Sequence, residues 1–182
     1  GVANEIGDQL AGLTYVSAFC CTELASPLDY LIAPEARLGA AAPSAPTLSE
    51  DQTARVPAGT TRHNWRSDDP AFLASARAQL MGDASEEEFL AAIASAQQPD
   101  ESTRASVDDA RVRPATWGQV PRAYVRLTQD RLNTPALQDR MIAEADRAAP
   151  DHRFVTVDIA TSHLGVHTRA AELAAHLHTL WP

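Results

Sequence analysis

Trp117–Gly118–Gln119–Val120–Pro121–Arg122–Ala123–Tyr124–Val125–Arg126–Leu127–Thr128–Gln129–Asp130–Arg131–Leu132–Asn133–Thr134–Pro135 is the stretch around which the chain is organised. It reads as a strand that delivers a carboxylate to the end of a sheet and then turns into a helix. Pro121 has no amide donor, so it suits the start of a strand and not its middle. Ala123, Val125 and Leu127 alternate with Tyr124, Arg126 and Thr128, the period of two expected of a strand. Asp130 follows that strand, and Thr134–Pro135 reads as N-cap and first residue of a helix. Open α/β folds assemble their sites at the C-terminal ends of such strands.

A second delivery comes further along. Phe154–Val155–Thr156–Val157–Asp158–Ile159 reads as another strand, followed by the turn Thr161–Ser162–His163–Leu164–Gly165. Strand–Asp–helix–strand–His is the order in which α/β-hydrolases present acid and base, with the nucleophile earlier in the chain. Trp117, Gly118, Pro121, Tyr124, Asp130, Gln138, Met141, Ile142 and His163 stand in the register of a recurring pattern. In it the chain resembles the α/β-hydrolase group of plant methylesterases, hydroxynitrile lyases and related bacterial esterases.

The resemblance extends N-terminally. Residues 1–19 are similar to the family's helix after the nucleophile elbow and the strand behind it, with a shorter connection. Gly1 would then belong to the elbow, and the nucleophilic serine would lie just upstream of it. No Gly-x-Ser-x-Gly occurs in the sequence. The expectation is therefore a segment of a longer hydrolase: α/β class, α/β-hydrolase fold, its mainly parallel sheet represented by C-terminal strands. Residues 1–21 are core, 22–115 an inserted helical cap, and 116–182 the C-terminal core carrying acid and histidine. Residues 29–66 have no clear counterpart in the family. Without the preceding strands the sheet edge would be unpaired, so residues 1–182 are not expected to fold independently.

Composition bounds the class. A chain of 182 residues with 45% hydrophobic and 21% charged residues is that of an ordinary globular domain. No apolar run approaches the roughly 20 residues of a membrane helix. A net charge of −9 without a basic stripe argues against a nucleic-acid surface. Cys20 and Cys21 are adjacent and poorly placed to bridge each other, and two reduced thiols fit a cytoplasmic location.

Within the cap, residues 34–57 are rich in Ala, Pro and Ser and lack periodicity, so a mobile lid is expected there. Asp69–Pro70 starts a helix with Phe72, Leu73, Ala76 and Leu80 on one face. Ser85–Glu86–Glu87–Glu88 is a capping box before Phe89, Leu90, Ile93 and Ala94, and Pro99 closes that helix. In the core, Leu137, Met141, Ile142 and Ala145 share a face of the helix that Pro135 opens. Thr168 is expected to cap a last helix that buries Ala170, Leu173, Ala174, Leu177 and Leu180.

A serine hydrolase needs a nucleophile, an imidazole to take its proton and a carboxylate to orient that imidazole. The register of the resemblance makes His163 the candidate base and Asp130 its orienter, each set against an ordinary turn residue. Asp158 lies within a strand, while Asp139 and Asp146 lie on a helix, and all three are weaker candidates. His163 and His167 have a metal-compatible spacing but lack a third ligand. His176 and His178 are expected to face solvent. Cys20 and Cys21 read as pocket lining or core, not as a nucleophile.

Hydroxynitrile lyases of the group carry a lysine after the catalytic histidine; here that place is Leu164, which favours ester hydrolysis. Phe19, Cys20 and Leu164 are the candidate substrate-contacting residues. The resemblance implies neither cofactor nor metal. Its implied partners are a small, mainly hydrophobic ester (or lactone or thioester) and the N-terminal part of the same hydrolase, with a homodimer an open option. The alternative is a non-catalytic ligand-binding or interaction module on the same fold.

Overall fold

A computed structural model describes residues 1–36, 59–61, 69–95 and 101–181. In chain order the elements are α1 (Val2–Ile6), β1 (Leu13–Val16), α2 (Pro27–Leu31), β2 (Thr60–Thr61), α3 (Pro70–Leu80), α4 (Glu86–Ser95), β3 (Glu101–Ser102), α5 (Arg104–Val107), β4 (Arg122–Leu127), α6 (Pro135–Ala148), β5 (Val155–Ile159) and α7 (Ala170–Leu180). β2 and β3 make a small antiparallel pair.

The main sheet runs β1–β4–β5, all parallel, with Tyr15 opposite Tyr124 and Val125 opposite Val157. β4 is the central strand. Each of its residues except the half-buried Arg126 is buried, so the alternation in its sequence separates two covered faces and not an inside from an outside. On one face Tyr124 packs with Tyr15, Phe154 and Trp117, under Leu137, Met141 and Ala145 of α6. On the other, Val125, Leu127 and Ile159 meet Val16, Val166 and Leu173. α6 is the crossover between β4 and β5 that a parallel pair requires.

Local signals explain several boundaries. Thr134 accepts from the Leu137 amide with Pro135 at the first helical position of α6. Asp69 does the same for α3 through Ala71. Ser85 and Glu88 form the reciprocal capping box of α4, at 3.2 and 2.8 Å. The Trp–Gly–x–x–Pro turn is held by Arg122, whose buried guanidinium lies 3.9 Å over the Trp117 ring. It donates to the carbonyls of Trp117, Gly118, Val120, Ala149 and His152.

Three expectations need correction. In α4, Phe89 and Ile93 point inward while Leu90 and Ala94 are exposed, because the packed stripe is narrower than the apolar one. Thr168 does not cap α7: its hydroxyl donates to Gly165 O at 2.8 Å, and the helix is entered from a 3-10 turn, Gly165–Arg169. Nor does α7 bury a stripe. Leu173, Leu177 and Leu180 are half-buried and Ala170 and Ala174 exposed: the helix is an outer layer that reaches the cluster of Val125, Leu127 and Ile159 through Leu173. Of the expected lid, residues 37–57 lie outside the described residues, as does Pro99.

Candidate active site

β4 and β5 end side by side, and the chain beyond them stays paired. Thr128 N donates to Ile159 O and Gln129 N to Thr161 O, both at 3.1 Å. Gln138, fully buried on α6, closes the β4 end. Its Oε1 accepts from Leu127 N at 3.0 Å, and its Nε2 donates to Leu127 O at 3.0 Å and Asn133 O at 2.6 Å. The Leu127 amide and the Asn133 carbonyl thereby gain a partner, and the Leu127 carbonyl gains a second beside the Asp130 amide at 3.2 Å.

Asp130 sits in the resulting turn at 2% exposure. Its Oδ1 accepts from the amides of Leu132 (2.8 Å) and Asn133 (2.9 Å). Its Oδ2 accepts from Ser17 Oγ at 2.6 Å and lies 2.7 Å from His163 Nδ1. Both oxygens are thus used, two bonds each, and the carboxylate has one orientation. Ser17 stands at the C-terminal end of β1 with φ of 41°, in the left-handed region that a non-glycine residue seldom occupies. Asn133 Nδ2 donates to its carbonyl at 2.8 Å, and Tyr124 holds the next one, Ala18 O, at 2.8 Å.

His163 is about a quarter exposed, its side chain at 27%. Among the described residues nothing hydrogen-bonds its Nε2. An imidazole held through Nδ1 by a buried carboxylate, with Nε2 open, can take a proton from a hydroxyl and return it to a leaving group.

The cap reaches this loop at several points. Asp83, in the turn between α3 and α4, accepts from Thr161 Oγ1 at 2.5 Å and from Ser162 Oγ. Partial burial pushes the Asp83 pKa up, but the hydrogen bonds from Ser162 and Thr161 outweigh it and hold the carboxyl below its ordinary value. Leu164 N donates to Leu80 O at 2.7 Å, and Arg131 Nη1 to Ala78 O at 3.0 Å. A cleft of about 440 Å³ opens here, lined by Asp83, Thr128, Asp130, Arg131, Pro135 and Ser162 among others.

The other singled-out residues lie elsewhere. Leu164 packs on the cap cluster of Phe72, Met81 and Phe89. Cys20 is 1% exposed in the core beneath α6, its amide directed at Met141 Sδ, and burial pushes its thiol up to about 12. Cys21 is buried likewise, its thiol pushed up to about 11. Phe19 is half-buried along a separate cavity of about 300 Å³ with Tyr15, Trp117 and Val112. Asp139 and Asp158 both pair with Arg126 on the surface. Asp146 accepts from Phe154 N at 2.8 Å, which fixes the start of β5. His178 is exposed and His176 half-buried. Among the described residues no group of three His, Cys, Asp or Glu side chains could hold a metal ion.

Sequence reasoning passed over Ser17, Asn133, Asp83, Thr161 and Ser162. The available signal was a hydroxyl interrupting the apolar run Leu13–Phe19, and two adjacent hydroxyls directly before His163.

No protein-family model matches the sequence, and no curated protein does. Among solved structures the chain is similar to a pyrethroid hydrolase, PytH, solved with BIF: TM-score 0.55 and 17% identity, over 96% of this chain and 63% of that one. A histidine-to-alanine variant of PytH gives TM-score 0.59 at 17% identity, over 98% and 64%. A serine-to-alanine variant gives 0.56 at 18%, with the same coverage. At such identity the likeness is one of fold: the chain has the α/β-hydrolase fold. It spans a little under two thirds of the length of these structures. Among the described residues no helix is long and apolar enough to cross a membrane.

Proposed function

We propose that this chain supplies the acid, the base and the cap of a serine-dependent hydrolase of carboxylic esters, lactones or thioesters. The observation that carries the reading is the 2.7 Å contact of His163 Nδ1 with a buried, fully engaged Asp130, with Nε2 left open. The likeness in fold to a pyrethroid hydrolase supports it, as does the order Asp130 before His163 on consecutive parallel strands.

In this reading the serine and the oxyanion donors belong to sequence outside residues 1–182. His163 Nε2 takes the serine proton as its oxygen attacks the carbonyl, and passes it to the leaving alcohol when the tetrahedral intermediate collapses. Water then repeats the cycle on the acyl-serine and releases the acid. Asp130 keeps the proton on Nδ1, so that Nε2 is the basic nitrogen, and stabilises the imidazolium as it forms. The substrate in this reading is a small, mainly hydrophobic ester, with Pro135 and Ala136 the apolar residues of the cleft beside Asp130. The N-terminal part of the same hydrolase is the partner this function requires.

The test is hydrolysis of a p-nitrophenyl ester by the intact protein. His163→Ala should remove nearly all turnover with little change in melting temperature, because the side chain is partly exposed. Turnover near that of the parent would defeat the assignment.

A further inference from the structure

We propose that Asp83 is a positioning residue for His163, through which docking of the cap sets the orientation of the base; this rests on the esterase reading above. The carboxylate belongs to the turn between α3 and α4, whereas Thr161 and Ser162 belong to the core loop directly before His163. Thr161 and Ser162 are buried residues, at 0% and 2% exposure, and the Asp83 carboxylate is the acceptor of both their hydroxyls. On the other side of His163 the Leu164 amide donates to Leu80 O, the C-terminal residue of α3. The histidine is therefore bracketed, two bonds before it and one after, by the same cap segment.

The space confirms how tightly the bracket is drawn. A Cβ on Gly165 would stand 2.4 Å from Thr161 Oγ1, 2.5 Å from Asp83 Oδ1 and 2.7 Å from Ser162 Oγ. No real side chain tolerates such contacts, so any residue larger than glycine must push Asp83 and the hydroxyls apart. Asp83 itself is exposed as a residue, in a turn whose flanking helices pack on their own cluster. Lifting that helix pair breaks all three bonds together, while the bond from Asp130 to His163 is made wholly within the core. Cap docking thus sets the backbone of the loop, and Asp130 sets the ring.

The experiment compares Asp83→Ala, Asp83→Asn and Gly165→Ala in the intact protein. The readouts are kcat and KM for a p-nitrophenyl ester and the downfield ring N–H proton resonance of His163. Asp83→Ala and Gly165→Ala should each lower kcat by about 10- to 100-fold, the cost of a misplaced catalytic group, with KM changed by less than about threefold. The ring resonance should broaden or vanish in both. Asp83→Asn keeps an acceptor for one hydroxyl and should recover much of the rate and the signal. Should Asp83→Ala fail to fold, Ser162→Ala, which removes one arm of the bracket, takes its place with the same expectation. Parental kcat and an unaltered resonance in the folded variants would overturn the proposal, as would a loss confined to KM. If His163→Ala stays active, the esterase reading itself fails. If it is inactive while the Asp83 and Gly165 variants behave as the parent, only the positioning role falls.

Discussion

Replacing Asp130 with asparagine separates the two jobs of that side chain. The backbone amides of Leu132 and Asn133 can only donate, so the asparagine oxygen must turn toward them. Its NH2 group then faces Ser17 Oγ and His163 Nδ1, at the positions where Oδ2 lay 2.6 and 2.7 Å away. The serine hydroxyl can rotate and accept. His163 can accept only if Nδ1 is deprotonated, which moves the proton to Nε2 and removes the base. In a Ser-His-Asp triad the same exchange lowers kcat by about 10⁴-fold, or about 5.5 kcal/mol of transition-state stabilisation. Stability should fall much less, by about 2 kcal/mol, because charge-assisted bonds become neutral ones and none is left unpaired. The assays are initial rates on a p-nitrophenyl ester, thermal denaturation, and ¹⁵N spectra of the His163 ring to identify the tautomer. A rate within about tenfold of the parent, or a ring still protonated at Nδ1, would refute the reasoning.

Gln138→Met should cost about 2 kcal/mol by stranding the Leu127 amide and the Asn133 carbonyl, while the Leu127 carbonyl keeps the Asp130 amide, lowering Tm by several degrees; an unchanged Tm would show the clamp to be dispensable. At Ser17, with φ of 41°, glycine should be more stable than alanine by about 1 kcal/mol, since both lose the bond to Asp130 but only glycine relieves the backbone. The reverse order in chemical denaturation would count against a left-handed Ser17. The thiols of Cys20 and Cys21, raised by burial to about 12 and about 11, keep their protons in the fold while an unfolded chain releases them near pH 8.5. The unfolded state then binds fewer protons, so stability should fall as pH rises above about 9. Denaturation midpoints that stay flat from pH 7 to pH 10 would contradict this, as would rapid alkylation of either cysteine in the native protein at pH 8.

What was legible in the sequence was local. Thr134–Pro135, Asp69–Pro70 and Ser85 with Glu88 are helix starts whose chemistry spans three residues, and each forms as read. The Asp130 turn was legible because Pro121 and an apolar alternation mark the strand before it. The burial of that strand was not, since alternation does not say whether a second layer covers the other face. Ser17 is 113 residues from Asp130, and Asp83 is 78 from Thr161. No period or cap joins residues so far apart; only the parallel pairing of β1 with β4, and the docking of the cap on the core, brings them together. Thr168 misled because its hydroxyl was free to bond backward into a 3-10 turn, and the apolar face of α7 misled because hydrophobicity does not reveal what lies beneath it.

The proposed function requires His163 to activate a serine of the same hydrolase. A fluorophosphonate reacts only with a serine whose proton is being removed, so its incorporation reads that activation without reference to any particular ester. The intact protein should gain a single adduct on the serine of a Gly-x-Ser-x-Gly sequence, and the adduct should disappear in His163→Ala while the fold persists. Labelling that proceeds undiminished without His163, or ester turnover with no serine adduct, would contradict the account.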